Sequence, residues 1–399
     1  FDPLGVTRQH VYQAGFNRNT DFVASLDNGQ TFIANLTNPF PGGFERPVGA
    51  GLGLATFLGQ GVRYFEENLI GPYMQRWQLG VQRELPMQSV IEVAYVGNRG
   101  TKLRIERELN PVPRQYLSTS PVRDQATIDY LAAHFPNPFY PLLPKTSLAG
   151  TTVPRSQLLR PYPHFTSVSR HHNQGYSWYH SLQTRFEKRF AQAYTMSASW
   201  TWSKFMEATG YLNHTDPVPE RVISDQDRTH RIVVSGLWEA PFGRGKRWGA
   251  SVHPALSRII GGWQVQAIFQ GQSGPPIGFG NSIFTGNLKD IPLPKGLRTI
   301  DRWFNIDAGF ERDPQKQLDS NIRTMPSRFS GIRADGMNNW DISVIKNTEI
   351  SESTNLQFRA EFINAWNHPQ FAAPNTSPSH TAFGTVTAET QWPRTIQFG

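Results

Sequence analysis

The chain has 399 residues, of which 18% are charged and 12% aromatic, and it carries a net charge of +8 with a pI near 9.7. It holds no cysteine, which excludes disulfide scaffolds and thiolate metal sites. Mean hydropathy is −0.47 and no apolar run approaches the about 18 residues of a spanning helix, so any membrane crossing must be made by strands.

The Lys and Arg residues are scattered, and their densest cluster, Gly243-Arg244-Gly245-Lys246-Arg247, is short and sits beside a turn. This argues against a nucleic-acid partner. Basic residues facing anionic lipopolysaccharide or lining a lumen account for the excess charge as well. Few charges and many aromatic rings suit an exterior that meets lipid, and also a large soluble β-protein that binds sugars.

Thirty Pro and 34 Gly divide the chain into short segments, and no helical period persists for four turns. The amino terminus, Phe1-Asp2-Pro3-Leu4, shows no signal-peptide pattern. The longest apolar candidate, Gly49 to Gly61, is Gly-rich and too short to span. The first clear element has Trp77, Leu79, Val81 and Leu85 alternating with Arg76, Gln78, Gln82 and Glu84. Such period-two alternation marks a strand with two different faces. A Pro86-Met87-Gln88 turn leads to a second strand, with Ile91, Val93 and Tyr95 set against Glu92, Ala94 and Asn98.

A long Pro-containing segment, 104–162, comes next. The strongest alternation then runs from Tyr176 to Phe190, one side mostly aromatic and apolar, the other almost wholly polar. After Ala191-Gln192-Ala193 it resumes as Tyr194, Met196, Ala198, Trp200 and Trp202 against Thr195, Ser197, Ser199, Thr201 and Ser203. These strands match the about 9–11 residues needed to cross a bilayer at a tilt. A second long segment, 204–228, precedes a less regular strand from Arg231 to Glu239. Trp263, Val265, Ala267 and Phe269 then alternate with Gln264, Gln266, Gln270 and Gln272. The third long segment is 278–336. Beyond it Trp340, Ile342 and Val344, a Ser351-Glu352-Ser353 turn, and Leu356, Phe358, Ala360 and Phe362 form a last hairpin. The final run stops at Gly399, and both ends read as cut.

Short turns thus alternate with long connections, as in outer-membrane barrels with short periplasmic turns and long extracellular loops. A soluble sandwich would also alternate, but here aromatic residues gather at strand ends, as interfacial girdles require. The expected fold is all-β: an antiparallel transmembrane β-barrel. Its polar candidates for the lumen are Gln183, Arg185, Glu187, Arg189, Gln357, Arg359 and Glu361. Its apolar candidates for lipid contact are Trp178, Phe186, Met196, Trp200, Phe358 and Phe362.

Several segments together resemble the carboxyl-terminal part of TonB-dependent outer-membrane receptors of the Oar-like type, common in acidobacteria. They include Gln75 through Pro86 with Glu92 through Thr101, Arg160-Pro161-Tyr162-Pro163, Glu187-Lys188-Arg189-Phe190 and Ser199 through Lys204. Others are Asp227 through Arg231, Ala240 through Trp248, and Leu356 through Asn364 with Asn367-His368-Pro369. No one motif is specific; their order and spacing are. The resemblance spans about residue 38 to the end and implies a carboxypeptidase-regulatory-like domain, a plug and then a barrel of about 22 strands.

Residues 1–399 would then be a partial barrel of about ten strands, with plug and amino-terminal domains absent and two unpaired edges. The implied function is uptake of an unidentified oligosaccharide, peptide or metal chelate across the bacterial outer membrane. The implied partners are outer-membrane lipid and, through the missing plug, the TonB complex. The alternatives are an outer-membrane structural or adhesive surface protein, and a soluble carbohydrate-binding β-protein.

Chemistry-bearing clusters favour structural readings. Asp225, Asp227, His230 and Arg231 precede a strand and suit a salt bridge and turn caps, with no second ligand cluster. His171 and His172, at an expected strand end, would point to opposite faces. Gly243-Arg244-Gly245-Lys246 lacks P-loop spacing. Glu187 and Glu361 lie on separate strands, so no paired carboxylates are expected. No enzyme activity, metal or cofactor is expected.

Overall fold

The computed structural model describes residues 15–399, apart from positions 17, 19, 69, 192 and 352. The amino-terminal Phe1-Asp2-Pro3-Leu4 therefore lies outside the described residues, as do Gln192 and Glu352 of two expected turns.

Nine strands form the main path of an 11-stranded sheet. They are β1 (Tyr73–Leu85), β2 (Ser89–Glu108), β3 (Ser167–Ala191), β4 (Tyr194–Ala208), β5 (His230–Glu239), β6 (Trp263–Gln272), β7 (Met337–Ser351), β8 (Thr354–Ile363) and β9 (Thr395–Phe398). Each pairs antiparallel with the next, so spatial order equals chain order. Two short strands complete the sheet: Gly61–Phe65 runs parallel to β3, and Val222–Ile223 pairs with β4. Among the described residues β1 and β9 do not pair with each other.

The pairing fixes which residues share a face, because directly opposed residues point the same way. One row runs Ile91, Phe186, Ala198, Val234, Phe269 and Trp340. The adjacent row on the other face runs Gln82, Glu92, Arg185, Ser199, Val233, Gln270 and Asn339. The register shifts only towards the strand ends, at 100–105, 188–191 and 349–351, so one face is mainly apolar and the other mainly polar from β1 to β9. Gly97 shows how closely the apolar face is tiled: the Trp77 ring of the opposed strand occupies the space a β-carbon would need.

Turn chemistry sets the two ends. Pro86-Met87-Gln88 reverses the chain with φ of 63° and 58° at Met87 and Gln88, the left-handed pair that suits a twisted hairpin. Ala193, at φ 69°, closes the next hairpin at the same end. The exception at this short-turn end is 240–262, which folds into a small lobe with a helix, Pro254–Ile260.

The structure corrects three boundaries. β2 continues to Glu108 and β4 to Ala208, so segments 104–162 and 204–228 begin inside strands. β3 begins at Ser167, and His171 and His172 lie within it and not at its end. Ser169, His171 and His172 are all buried. Both faces of this stretch are covered, which erases the alternation that would reveal a strand.

The sandwich alternative places a core between two sheets. The other sheets among the described residues are two-stranded pairs within the long connections. The one large core cluster, including Phe279, Ile291, Phe304, Phe310 and Phe383, is built from those connections and not from the wall.

Candidate functional site

Six of the polar candidates share one face of the sheet, on two strands that are not neighbours. Gln183, Arg185 and Glu187 of β3 share a face, by register through β4 to β7, with Gln357, Arg359 and Glu361 of β8. Arg185 pairs with Glu187, and Arg359 with Glu361 at 3.3 Å, each along its own strand. Arg359 also donates to Gln357 Oε1 at 3.1 Å. Arg189 lies past the last regular β3–β4 pair, with its backbone N–H on the carbonyl of Gln88 in the neighbouring turn. Glu187 and Glu361 are separated by four intervening strands and form no carboxylate pair.

The apolar candidates occupy the opposite face. Phe186 opposes Ala198, Met196 opposes Gly236, Trp200 opposes Ile232, and Phe362 opposes Ile342. On this face Trp200 is 37% exposed and Phe358 48% exposed, while Phe186, Met196 and Phe362 are half-buried. Trp178 differs in its surroundings, because the guanidinium of Arg221, from the connection after β4, lies 4.4 Å from its ring centre.

At the other end of the strands the four long connections interlock. Backbone bonds join the β2–β3 and β6–β7 connections, with Ile322 N–H donating to Ser118 O at 2.8 Å and Ser118 N–H to Ser320 O at 3.0 Å. Asn213, after β4, donates to Arg323 O at 3.0 Å and accepts from Arg323 N–H at 2.8 Å. Trp303 N–H donates to Gly384 O at 2.8 Å, which ties in the β8–β9 connection. Their shared centre is an edge-to-face cluster in which Phe279, Phe304, Phe310 and Phe383 lie 4.7–6.3 Å apart. We call this assembly the cap.

An ion pair and a carboxylate bonded to a strand N–H fasten the cap to the wall. Asp227, 1% exposed, accepts from Arg333 Nη2 at 2.7 Å and from the Phe205 N–H of β4 at 2.6 Å. Glu207 of β4 accepts from Arg328 at 2.5 Å and from Ser224 Oγ at 2.8 Å. The cluster around Asp227 is thus a joint, not a ligand set. Within the cap, Asp124 caps the helix Gln125–Ala132, and its bonds from Thr127 and Ser118 hold its carboxyl below the ordinary carboxylate range.

Where cap meets wall there is a cleft of about 450 Å³, lined by residues that include Tyr95, His180, Trp202, Asp227, Ser330 and Arg333. A second cleft of about 370 Å³ lies between the β2–β3 and β6–β7 connections and includes Arg123, Phe310, Glu311 and Lys316. Sequence reasoning named Tyr95, Trp202 and Asp227 but not the clefts, because Ser330, Arg333, Arg123, Phe310, Glu311 and Lys316 belong to long connections whose neighbours are set only by the folded cap.

A family model described as "Outer membrane beta barrel domain" matches residues 1–397. The chain belongs to this outer-membrane β-barrel family. Its two-faced meander is therefore a barrel wall, and its location is the outer membrane. That placement removes the soluble carbohydrate-binding alternative.

Solved structures with a similar course include the outer membrane transporter YddB from Escherichia coli, at 11% identity and a TM-score of 0.40, covering 86% of this chain and 34% of that one. The FrpB iron transporter from Neisseria meningitidis gives 10% identity and 0.37, covering 85% of this chain and 32% of that one. FpvA from P. aeruginosa, bound to heterologous pyoverdines, gives 10% and 0.34, covering 83% of this chain and 27% of that one. The chain spans about a third of the length of these structures or less. No curated protein matches the sequence.

Proposed function

We propose that this barrel wall is the carboxyl-terminal part of a TonB-dependent, Oar-like transporter that imports a small nutrient. In this reading the apolar face meets lipid and the polar face lines the lumen. Further strands and a plug complete the full-length protein, and the cap lies on the extracellular side. The observation that carries the reading is a register-locked sheet with one face mainly apolar and partly exposed, joined at its long-loop end to a cap with its own core. A bare Trp, Phe and Val face is costly in water and favourable in hydrocarbon. The polar face, rich in Gln, Ser and Arg–Glu pairs, suits water and a passing polar solute.

The absence of native cysteine makes the facing directly testable. Single cysteines at Gln183, Arg185, Gln357 and Arg359 are expected to react with a water-soluble maleimide. Those at Phe186, Met196, Trp200 and Phe358 are expected to react only with a lipid-soluble one. The reverse pattern, or equal labelling, defeats the assignment. Transport is tested separately by photo-crosslinking the full-length protein to TonB in cells. A ligand-dependent crosslink is expected, and an adhesive surface protein would give none.

A further inference from the structure

The lobe at 240–262 breaks the rule of short turns at its end of the wall, and it stands on the apolar side. Trp263 and Lys346 oppose each other on that face. The Trp263 Nε1–H donates to Ile259 O at 3.0 Å, and Lys346 Nζ donates to Arg258 O at 2.7 Å and to Gly261 O. The helix Pro254–Ile260 is thereby pinned against the face assigned to lipid. Outward the lobe presents Trp248 and, from the helix, Leu256 and Ile259, which are 50%, 47% and 67% exposed.

Beside these apolar groups opens a cavity of about 530 Å³ reached by Arg244, Lys246, Arg258 and Lys346, with Glu349 on its rim. Lys246 is engaged by Glu239 at 3.2 Å, and Lys346 is committed to backbone carbonyls. Among the described residues Arg244, Arg247 and Arg258 have no carboxylate at ion-pair distance. Exposed apolar groups flanked by unneutralised guanidinium groups are complementary to one environment, the boundary where acyl chains meet anionic headgroups.

We propose that this lobe is an interfacial foot that binds an anionic glycerophospholipid of the leaflet on the short-turn side. Arg244 and Arg258 hold the headgroup phosphate, and Trp248, Leu256 and Ile259 insert among the acyl chains. The inference rests on the lipid assignment of the apolar face.

The test uses the intact protein in nanodiscs that mix phosphatidylglycerol with phosphatidylcholine, with co-retained lipid read by native mass spectrometry. Wild type is expected to retain phosphatidylglycerol preferentially. R244Q/R258Q is expected to lose that preference by about tenfold or more. R244K/R258K is expected to keep most of it, and excess inorganic phosphate to leave it unchanged. Equal preference in R244Q/R258Q, loss in the lysine variant, or displacement by inorganic phosphate would overturn the proposal. Maleimide labelling of the wall on the same samples separates the two levels. Reversed labelling overturns the facing and the foot together, whereas correct labelling with unchanged lipid preference overturns the foot alone.

Discussion

The wall and the cap are both rich in aromatic side chains, yet they treat them in opposite ways. In the wall Trp202 is 53% exposed and Phe398 is 70% exposed, while in the cap Phe304 and Phe383 are each 1% exposed. The cap follows the rule of water-soluble proteins, in which apolar groups find one another. In the proposed reading the wall inverts it, turning the apolar groups outward to a medium as apolar as they are and the polar ones toward the interior. One chain thus holds two solutions to the same problem, divided at the level where the Glu207–Arg328 pair and the bond from Phe205 N–H to Asp227 join them.

The largest expected effect sharpens that division. Phe304→Ala empties the centre of the cap and is expected to cost about 3–5 kcal/mol there. Hydrogen exchange should speed up across 278–336 and 371–388 while β3 to β6 stay protected. Loss of protection throughout the wall would show that the two regions fold as one unit. Asp227→Ala strips a buried partner from Arg333 and an acceptor from the Phe205 N–H, an expected loss of about 3 kcal/mol. Limited proteolysis should then cut within 209–229 before it cuts the cap core.

A smaller effect comes from pH. The carboxyl of Asp124 is held below its ordinary value, so its contribution is present above that value and lost as pH falls through the lowered one. Exchange at the helix Gln125–Ala132 should rise in acid, and Asp124→Asn should flatten that dependence. The smallest concerns Glu187→Gln. Its pair with Arg185 is solvent-exposed, so stability should change by no more than about 0.5 kcal/mol in a denaturant titration.

The wall was legible in sequence because alternation is local: Tyr194 to Ser203 declares both faces without knowledge of its neighbours. The same signal put Arg185 and Arg359 on one face, with four strands between them. The outer part of β3 was not legible, since Ser169, His171 and His172 are covered on both sides and carry no period. The cap was read only as long connections. Phe279, Phe304 and Phe383 are widely spaced in irregular backbone, and nothing local says that they meet. Asp227 was recognised as a structural charge, but its partner Arg333 lies on another connection and could not be named. Within the lobe at 240–262 only the turn at Gly243 to Lys246 was legible, and Gly243, at φ 106°, and Gly245, at φ 75°, do make one; the helix beyond it is too short to show a period.

The central claim is that the two faces of one register-locked sheet meet different media. Val233 and Val234 test it most directly: they are adjacent in β5, identical in chemistry, similarly half-buried, and aligned with Ser199 and Ala198 on opposite faces. Arg is substituted at each, and folding free energy is measured in phospholipid vesicles. Val234→Arg is expected to destabilise by about 2–4 kcal/mol, as a cation on a lipid face does near mid-bilayer, whereas Val233→Arg is expected to be tolerated. Equal losses at the two positions, or a larger loss at Val233, would contradict the account.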